Sequence, residues 1–413
     1  MKHFALLAFF LLSSICTILC GQQPKPGDAD YFPITAWSGG SWLGVPMEQR
    51  HFDEMAEAGI NVAGFANSKE ELAMIEKAGM TAWVYTNIPN ELFWNDQADE
   101  EALRQAARDT VKNYADAPNF CGYYLQDEPS ARRFRVLGIL SDEFRKADPK
   151  RATYINLLPN YANTQQLGAP NYLEYARKFV AEVHPARIGY DFYSLYEDEN
   201  APLHPGYWQQ LAETRQVAHE NGIPFDVCVL AVGHMIYRVP SETDLFFEVY
   251  SALLYGAKGI LYFTYFTPKN TSYRHAPVDS WGNRTDTWYA MRYVNNTIKC
   301  LARTLNRLDS TCVYHFQPGK PMPFENGPQN DSIIEGPAAP DHRIAVGEFV
   351  DRETGEKYVM ILNKNLKRTI NVNGLKWRNG KPGNIMVCSS SRRIISRLSA
   401  AKTHGSHQDR QFF

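Results

Sequence analysis

Between Tyr31 and about Asn306, short apolar runs alternate with longer amphipathic stretches eight times over. The apolar runs are PITAWSG (33–39), INVAGF (60–65), MTAWVYT (80–86), CGYYLQDE (121–128), ATYINLLP (152–159), RIGYDFYSL (187–195), PFDVCVLAVG (224–233) and GILYFTYF (259–266). Between them, residues 47–58, 69–78, 100–114 and 207–221 carry apolar positions at helical spacing. Three of these segments stop at Ala58-Gly59, Ala78-Gly79 and Asn221-Gly222, where a glycine supplies the left-handed residue that ends a helix. Strands written as nearly continuous hydrophobic runs and separated by helices predict a parallel sheet covered on both faces. Eight such units predict a closed (β/α)8 barrel. An open doubly wound sheet is the alternative, but no GxGxxG follows the first strand.

The pattern changes after about Leu308. Residues 306–330 are polar and proline-bearing. Strand-like runs follow at 343–350, 357–363 and 368–373, with Asp351 to Gly355 reading as a hairpin loop. This predicts a small all-β, sandwich-like module at 309–388 behind a barrel at 21–308. Residues 389–413 are rich in Ser, Arg and His without a strand pattern and are expected to be disordered.

The chain has 413 residues, enough for a barrel and an appended module. Met1-Lys2-His3 precedes an apolar stretch from Phe4 to Cys20, which reads as a signal peptide and implies a secreted or periplasmic protein. Cys16 and Cys20 keep a lipid-anchored surface form as a lesser alternative, and no membrane-spanning helix is expected after the leader. The net charge of −2 becomes about −3 once Lys2 is removed, so no global field favours nucleic acid or acidic membranes. Beyond the leader lie Cys121, Cys228, Cys300, Cys312 and Cys388, too few and too scattered for a disulfide framework. Cys121 and Cys228 read as core residues, and Cys300 with Cys312 is a candidate pair. No CxxC or HExxH is present, the spacing of His204, His219 and His234 is not that of a metal site, and neither metal nor cofactor is expected. Asn270, Asn283, Asn295 and Asn330 begin N-x-S/T triplets.

The candidate chemistry lies at the strand ends. In a barrel, the residues closing each strand converge on one mouth. Here they are Trp37, Asn87, Asp127, Glu128, Asn156, Asp191, Tyr193, His234 and Tyr265, with Trp281 and Trp42 as further aromatic platforms. Gln126-Asp127-Glu128-Pro129 ends the fourth run abruptly, since adjacent carboxylates and a proline cannot continue a sheet interior. The plain alternative is a charged turn capping the next helix through Ser130. Carboxylates for proton transfer, amides for hydroxyl recognition and aromatic faces for stacking suit a sugar substrate. Arg238 and Arg284 read as ordinary charge partners.

Asp127-Glu128-Pro129 at the fourth strand resembles the Asn-Glu-Pro of clan A glycoside hydrolases, among them the family-42-type β-galactosidases. The run from Leu245 to Phe266 is similar to their seventh helix and eighth strand. The resemblance implies a carbohydrate substrate and gives Glu128 the general acid/base role. It departs at the seventh strand, where Ala231-Val232-Gly233-His234 offers no carboxylate for the nucleophile. Asp191 or Asp127 is then the nucleophile, base or orienting group. The adjacent Asp-Glu pair also resembles family 123 hexosaminidases, which implies a substrate-assisted reaction on 2-acetamido sugars with Asp127 orienting the amide. The missing seventh-strand Glu leaves a third expectation, a non-catalytic carbohydrate-binding barrel.

Overall fold

The computed structural model describes residues 24–37, 47–117, 120–269, 272–319, 324–337, 339–370, 375–378 and 384–388. The leader, Trp42, Asn270 and the tail from 389 lie outside them. Eight parallel strands close a barrel in chain order: β1 (Ile34–Ala36), β2 (Val62–Ala66), β3 (Thr81–Tyr85), β4 (Phe120–Asp127), β5 (Ala152–Leu157), β6 (Ile188–Asp191), β7 (Phe225–Leu230) and β8 (Ile260–Phe263). β8 pairs with β1, Ile34 opposite Ile260, and so shuts the ring. Each strand falls within or beside an expected apolar run. The alternative of an open sheet is therefore excluded.

The helices outside this ring are α1 (Gln49–Glu57), α2 (Lys69–Lys77), α3 (Asn90–Phe93), α4 (Glu100–Asn113), α5 (Phe134–Ala147), α6 (Thr164–Leu167), α7 (Tyr172–Val183), α8 (Tyr207–Asn221), α9 (Glu242–Leu254) and α10 (Asp286–Arg307). Their ends follow local chemistry. Ser68 and Asp99 accept from Glu71 and Ala102 backbone N–H groups, and Ser241 with Asp244 forms a capping box. Gly222 closes α8 at φ 64°, a left-handed conformation that costs glycine little.

Residues alternate across the barrel wall. Tyr123, Val84, Val227 and Tyr262 join the layer between strands and helices, whereas Trp83, Tyr124, Tyr154, Cys228 and Leu261 fill the interior. Tyr123 therefore faces outward. It stacks on Phe144 at 4.4 Å and donates to Asp148 Oδ2 at 2.8 Å, so it does not shape the mouth as its neighbour Tyr124 does. A Cβ added at Gly122 would lie 2.1 Å from Ala152 O and 2.5 Å from the Trp83 ring, so only glycine admits those neighbours.

α10 runs without a linker into β9 (Leu308–Phe316), which pairs antiparallel with β11 (Ile344–Asp351); between them in the chain lies β10 (Ile334–Gly336). β12 (Lys357–Asn363), β13 (Lys376–Trp377) and β14 (Asn384–Cys388) complete the module. Its four-stranded sheet has the order β9-β11-β12-β14, and β10 pairs with β13. Residues 308–316, expected to be connector, thus form a strand, and no strand is found at 368–370; residues 371–374 lie outside the described set. Along β11 and β12, Ile344, Val346, Val359 and Ile361 face the module's own core, while Ala345, Phe349, Met360 and Leu362 join the barrel's outer core. Burial on both faces is why these strands read as unbroken apolar runs.

Cys300 and Cys312 are free thiols, which corrects their expected pairing: Cys300 is exposed on α10, while Cys312 packs at the edge of the module's core. Asn295 is fully buried, accepting from Tyr262 Oη and donating to Ala58 O, so its triplet is closed to glycosylation. Among the described residues no helix is long and apolar enough to cross a membrane.

Candidate active site

β4 and β5 run side by side to the mouth, with Asp127 opposite Asn156 in register. A register shift between Tyr124 and Gln126 precedes that pairing. Glu128 follows in the left-handed region at φ 44°, where a non-glycine residue is strained by about 1 kcal/mol or more. Two bonds hold it there. Its N–H donates to Asn156 O at 2.7 Å, and Tyr175 Oη of α7 donates to Pro129 O at 2.6 Å. Strain retained at a strand end is a mark of function more than of folding.

The next strands bring the second acid. Asn156 is buried, and its Nδ2 lies 3.1 Å from Asp127 Oδ1 and 3.3 Å from Asp191 Oδ1 at the end of β6. One amide therefore bridges two carboxyls. Glu128 and Asp191 act on each other electrostatically, and Tyr193 favours the ionised form of Asp191.

Asp127 and Glu128 keep solvent access at the open mouth while protein crowds them on their other sides; Asp191 is buried. Loss of solvation pushes Asp127 up to about 6 against the Asn156 donor, which favours its ionised form. Desolvation, then the neighbouring Asp127 charge, pushes Glu128 up to about 7, while Asp191 acts in the other direction. Burial raises Asp191 well above the usual carboxyl range, reinforced by Glu128 and Asp127. Glu128 and Asp191 are therefore both held toward the protonated form and influence each other's titration.

Aromatic rings surround the cluster. Tyr124 packs 4.1 Å from Phe65 and 5.4 Å from Tyr85, and Trp37 meets Phe65, Tyr124 and Phe263 edge-on inside the barrel. On the opposite wall Tyr193 stacks against Phe263 at 5.9 Å and meets Tyr237 edge-on at 5.7 Å. Tyr161 and Tyr237 lie near each other and near Asp191, and Tyr161 remains 43% exposed.

Of the residues expected at the mouth, Asp127, Glu128, Asn156, Asp191 and Tyr193 form one connected group. Trp37 lies in the aromatic layer beside it. Asn87 stands exposed after β3. His234 stacks on Tyr273 at 4.4 Å in a small ladder between residues 233–234 and 273–274, next to Phe263. Two residues are set apart. Tyr265 is fully buried toward α10, accepting from Trp288 Nε1 at 3.0 Å, because the chain has left β8 and turned outward there. Trp281 is 84% exposed on the long loop after β8. Tyr161, Tyr237, Tyr85, Phe65 and Trp83 were not expected. The alternation along β2 and β3 marks Phe65, Trp83 and Tyr85 as inward, whereas Tyr161 and Tyr237 lie in loops with no such signal.

A cavity of about 240 Å³ lies at the opposite pole, between the N-terminal ends of the strands, lined by Tyr31, Thr35, Cys121 and the Arg187–Asp226 ion pair. It is separate from the carboxyl cluster. Among the described residues no group of three or more His, Cys, Asp or Glu side chains is placed to hold a metal ion.

No protein-family model matches the chain, and no curated protein matches its sequence. Solved structures match in fold. A cold-adapted β-galactosidase from Rahnella sp. R3 is 11% identical with a TM-score of 0.51, over 67% of this chain and 57% of that one. A β-galactosidase from the psychrophilic Marinomonas ef1 is 10% identical with a TM-score of 0.49, over 67% and 62%. The likeness is one of fold. The chain spans less than two thirds of the length of either galactosidase.

Proposed function

We propose that this protein is a glycoside hydrolase acting on oligo- or polysaccharides, with Glu128 and Asp191 as its working carboxyls. The observation that carries this reading is the group of three carboxyls, Asp127, Glu128 and Asp191, gathered at the C-terminal mouth of the barrel, with Asn156 bridging Asp127 and Asp191 among aromatic rings. Glycosidic cleavage needs one carboxylic acid to protonate the leaving oxygen and one carboxylate to meet the developing oxocarbenium ion. Burial raises the proton affinity of Glu128, as an acid needs, while Asn156 and Tyr193 favour the ionised form of Asp191. Glu128, with access to solvent and a pKa of about 7, delivers the proton to the glycosidic oxygen as the C1–O bond breaks. Asp191, in its ionised form, meets the anomeric carbon. Tyr193 and Asn156 favour its ionised form and hold its orientation.

A second reading rests on Asp127, a third carboxyl that this scheme does not require. If the substrate carries a 2-acetamido group, that group can attack C1 while Asp127, steadied by Asn156, orients it. We further infer export, from the apolar leader ahead of a polar, proline-bearing segment.

The test is hydrolysis of a panel of aryl glycosides, 2-acetamido sugars included, by wild type, Glu128→Gln, Asp191→Asn and Asp127→Asn. The two-carboxyl reading expects kcat to fall by about 10²–10⁴ in the first two variants. Activity confined to acetamido sugars, tolerant of Asp191→Asn and abolished by Asp127→Asn, transfers the reaction to the second reading. Thermal stabilisation by glycans without turnover of any of them points instead to a carbohydrate-binding barrel.

A further inference from the structure

Among the described residues, no lysine or arginine forms an ion pair with Asp127, Glu128 or Asp191. What opposes their raised proton affinity is Asn156, Tyr193, a backbone donor and interaction within the cluster. The loops of the mouth continue this pattern. Residues 158–162, after β5, carry no charged side chain. The loop after β6 adds Glu197, Asp198 and Glu199. The rim arginines are committed to acids of their own. Arg133 pairs with Asp96, Arg238 with Asp244 and Arg274 with Glu197. Arg132 and Lys269 are exposed.

Resting on the glycosidase reading above, we infer that the sugar seated at this cluster bears no acidic substituent: the site accepts neutral and amino sugars and refuses uronosides. A uronate carries its carboxylate on the same ring that must meet Glu128 and Asp191. It would therefore bring a like charge within one ring's width of the cluster, in surroundings that screen it less than water does. Sites that recognise a sugar carboxylate answer it with a guanidinium fork or an ammonium group. Here neither is at hand, and juxtaposed like charges act against the wrong ligand.

The experiment is calorimetric titration of the wild-type protein at pH 7.5 with two piperidine iminosugars of gluco and galacto configuration and their 6-carboxylate counterparts. At least one neutral-sugar mimic is expected to bind tenfold or more tightly than its carboxylate counterpart. Tyr161→Lys, which sets an ammonium on the exposed rim near Asp191, is expected to narrow that gap. Equal or tighter binding of the carboxylated ligand overturns the inference and leaves the glycosidase reading standing. A gap that Tyr161→Lys leaves untouched, in a variant that still binds the neutral ligand, overturns the electrostatic basis. If none of the ligands binds and no aryl glycoside is turned over, the glycosidase reading falls and the inference with it.

Discussion

Replacing Asn156 by leucine separates the chemistry of the cluster from its folding. The amide lies 3.1 Å from Asp127 Oδ1 and 3.3 Å from Asp191 Oδ1, both at the long end for a hydrogen bond. A bond to an ionised acceptor contributes about 1.5–3 kcal/mol. Long geometry and the solvent access of Asp127 place this one at or just below the lower limit, about 1.4 kcal/mol or one pKa unit. Loss of a donor to the ionised form favours the protonated form. The Asp127 midpoint, now about 6, should therefore rise by about one unit. Carbon-13 titration of aspartate-labelled protein reads this directly, with the Asp127 resonance identified by its absence from Asp127→Asn. Asn156 Oδ1 is itself buried without a partner, so leucine also removes an unsatisfied acceptor, and Tm at pH 5 should change by only a few degrees. A folded pKa above its unfolded value contributes stability that is complete below the unfolded value and is lost as pH rises through the folded one. The stability gap between wild type and variant should then widen between pH 5 and pH 8. A well-folded variant whose Asp127 midpoint stays put, or falls, refutes the bridging role.

Two further outcomes follow from buried charge. Glu248 on α9 is fully buried; it accepts from Ser194 Oγ at 3.0 Å, leaves Oε2 unpartnered, and is pushed up to about 8 by burial and then by Asp244. Its stabilising contribution is complete below about 4.5 and is lost as pH rises through about 8, so Glu248→Gln should gain Tm relative to wild type from pH 6 to pH 9; a difference flat across that range would count against it. In the module, Lys364 pairs with Glu325 where both side chains are only 5% exposed. Lys364→Met leaves that carboxylate buried and should cost about 3–5 kcal/mol in urea unfolding, while adding Glu325→Leu should recover most of the loss. A single variant as stable as the double would show that the charge is not confined.

The barrel was legible because its strands are buried on both faces and its helices on one, so two different periods alternate along the chain. The mouth was legible only where a polar residue ends an apolar run, as at Asp127, Asn156 and Asp191. Beyond the strand ends the reading failed for a physical reason. Tyr265 lies past Phe263, where strand parity no longer governs direction, and it turns outward to Trp288. Tyr161 and Tyr237 reach the mouth through loop conformation, which carries no period. β9 was hidden because exposed positions at Asp309 and Thr311 dilute its pattern, and because no turn residue separates it from α10. The bridging of Asp127 and Asp191 by Asn156 depends on β4 and β6 meeting across β5, a relation that linear sequence does not display.

α10 has one further consequence. Through Asn295 it holds the end of α1 and the back of β8, the two sides of the seam where the barrel closes. At its far end it becomes β9 without a single intervening residue. The appended sheet is thus spliced onto the keystone of the ring. A recombinant fragment cut at this junction would strip the cover from Ala345, Phe349 and their barrel-side neighbours, and would fray the very helix that keeps the first and last strands together. In a search for interchangeable parts, barrel and module have to be exchanged as one piece.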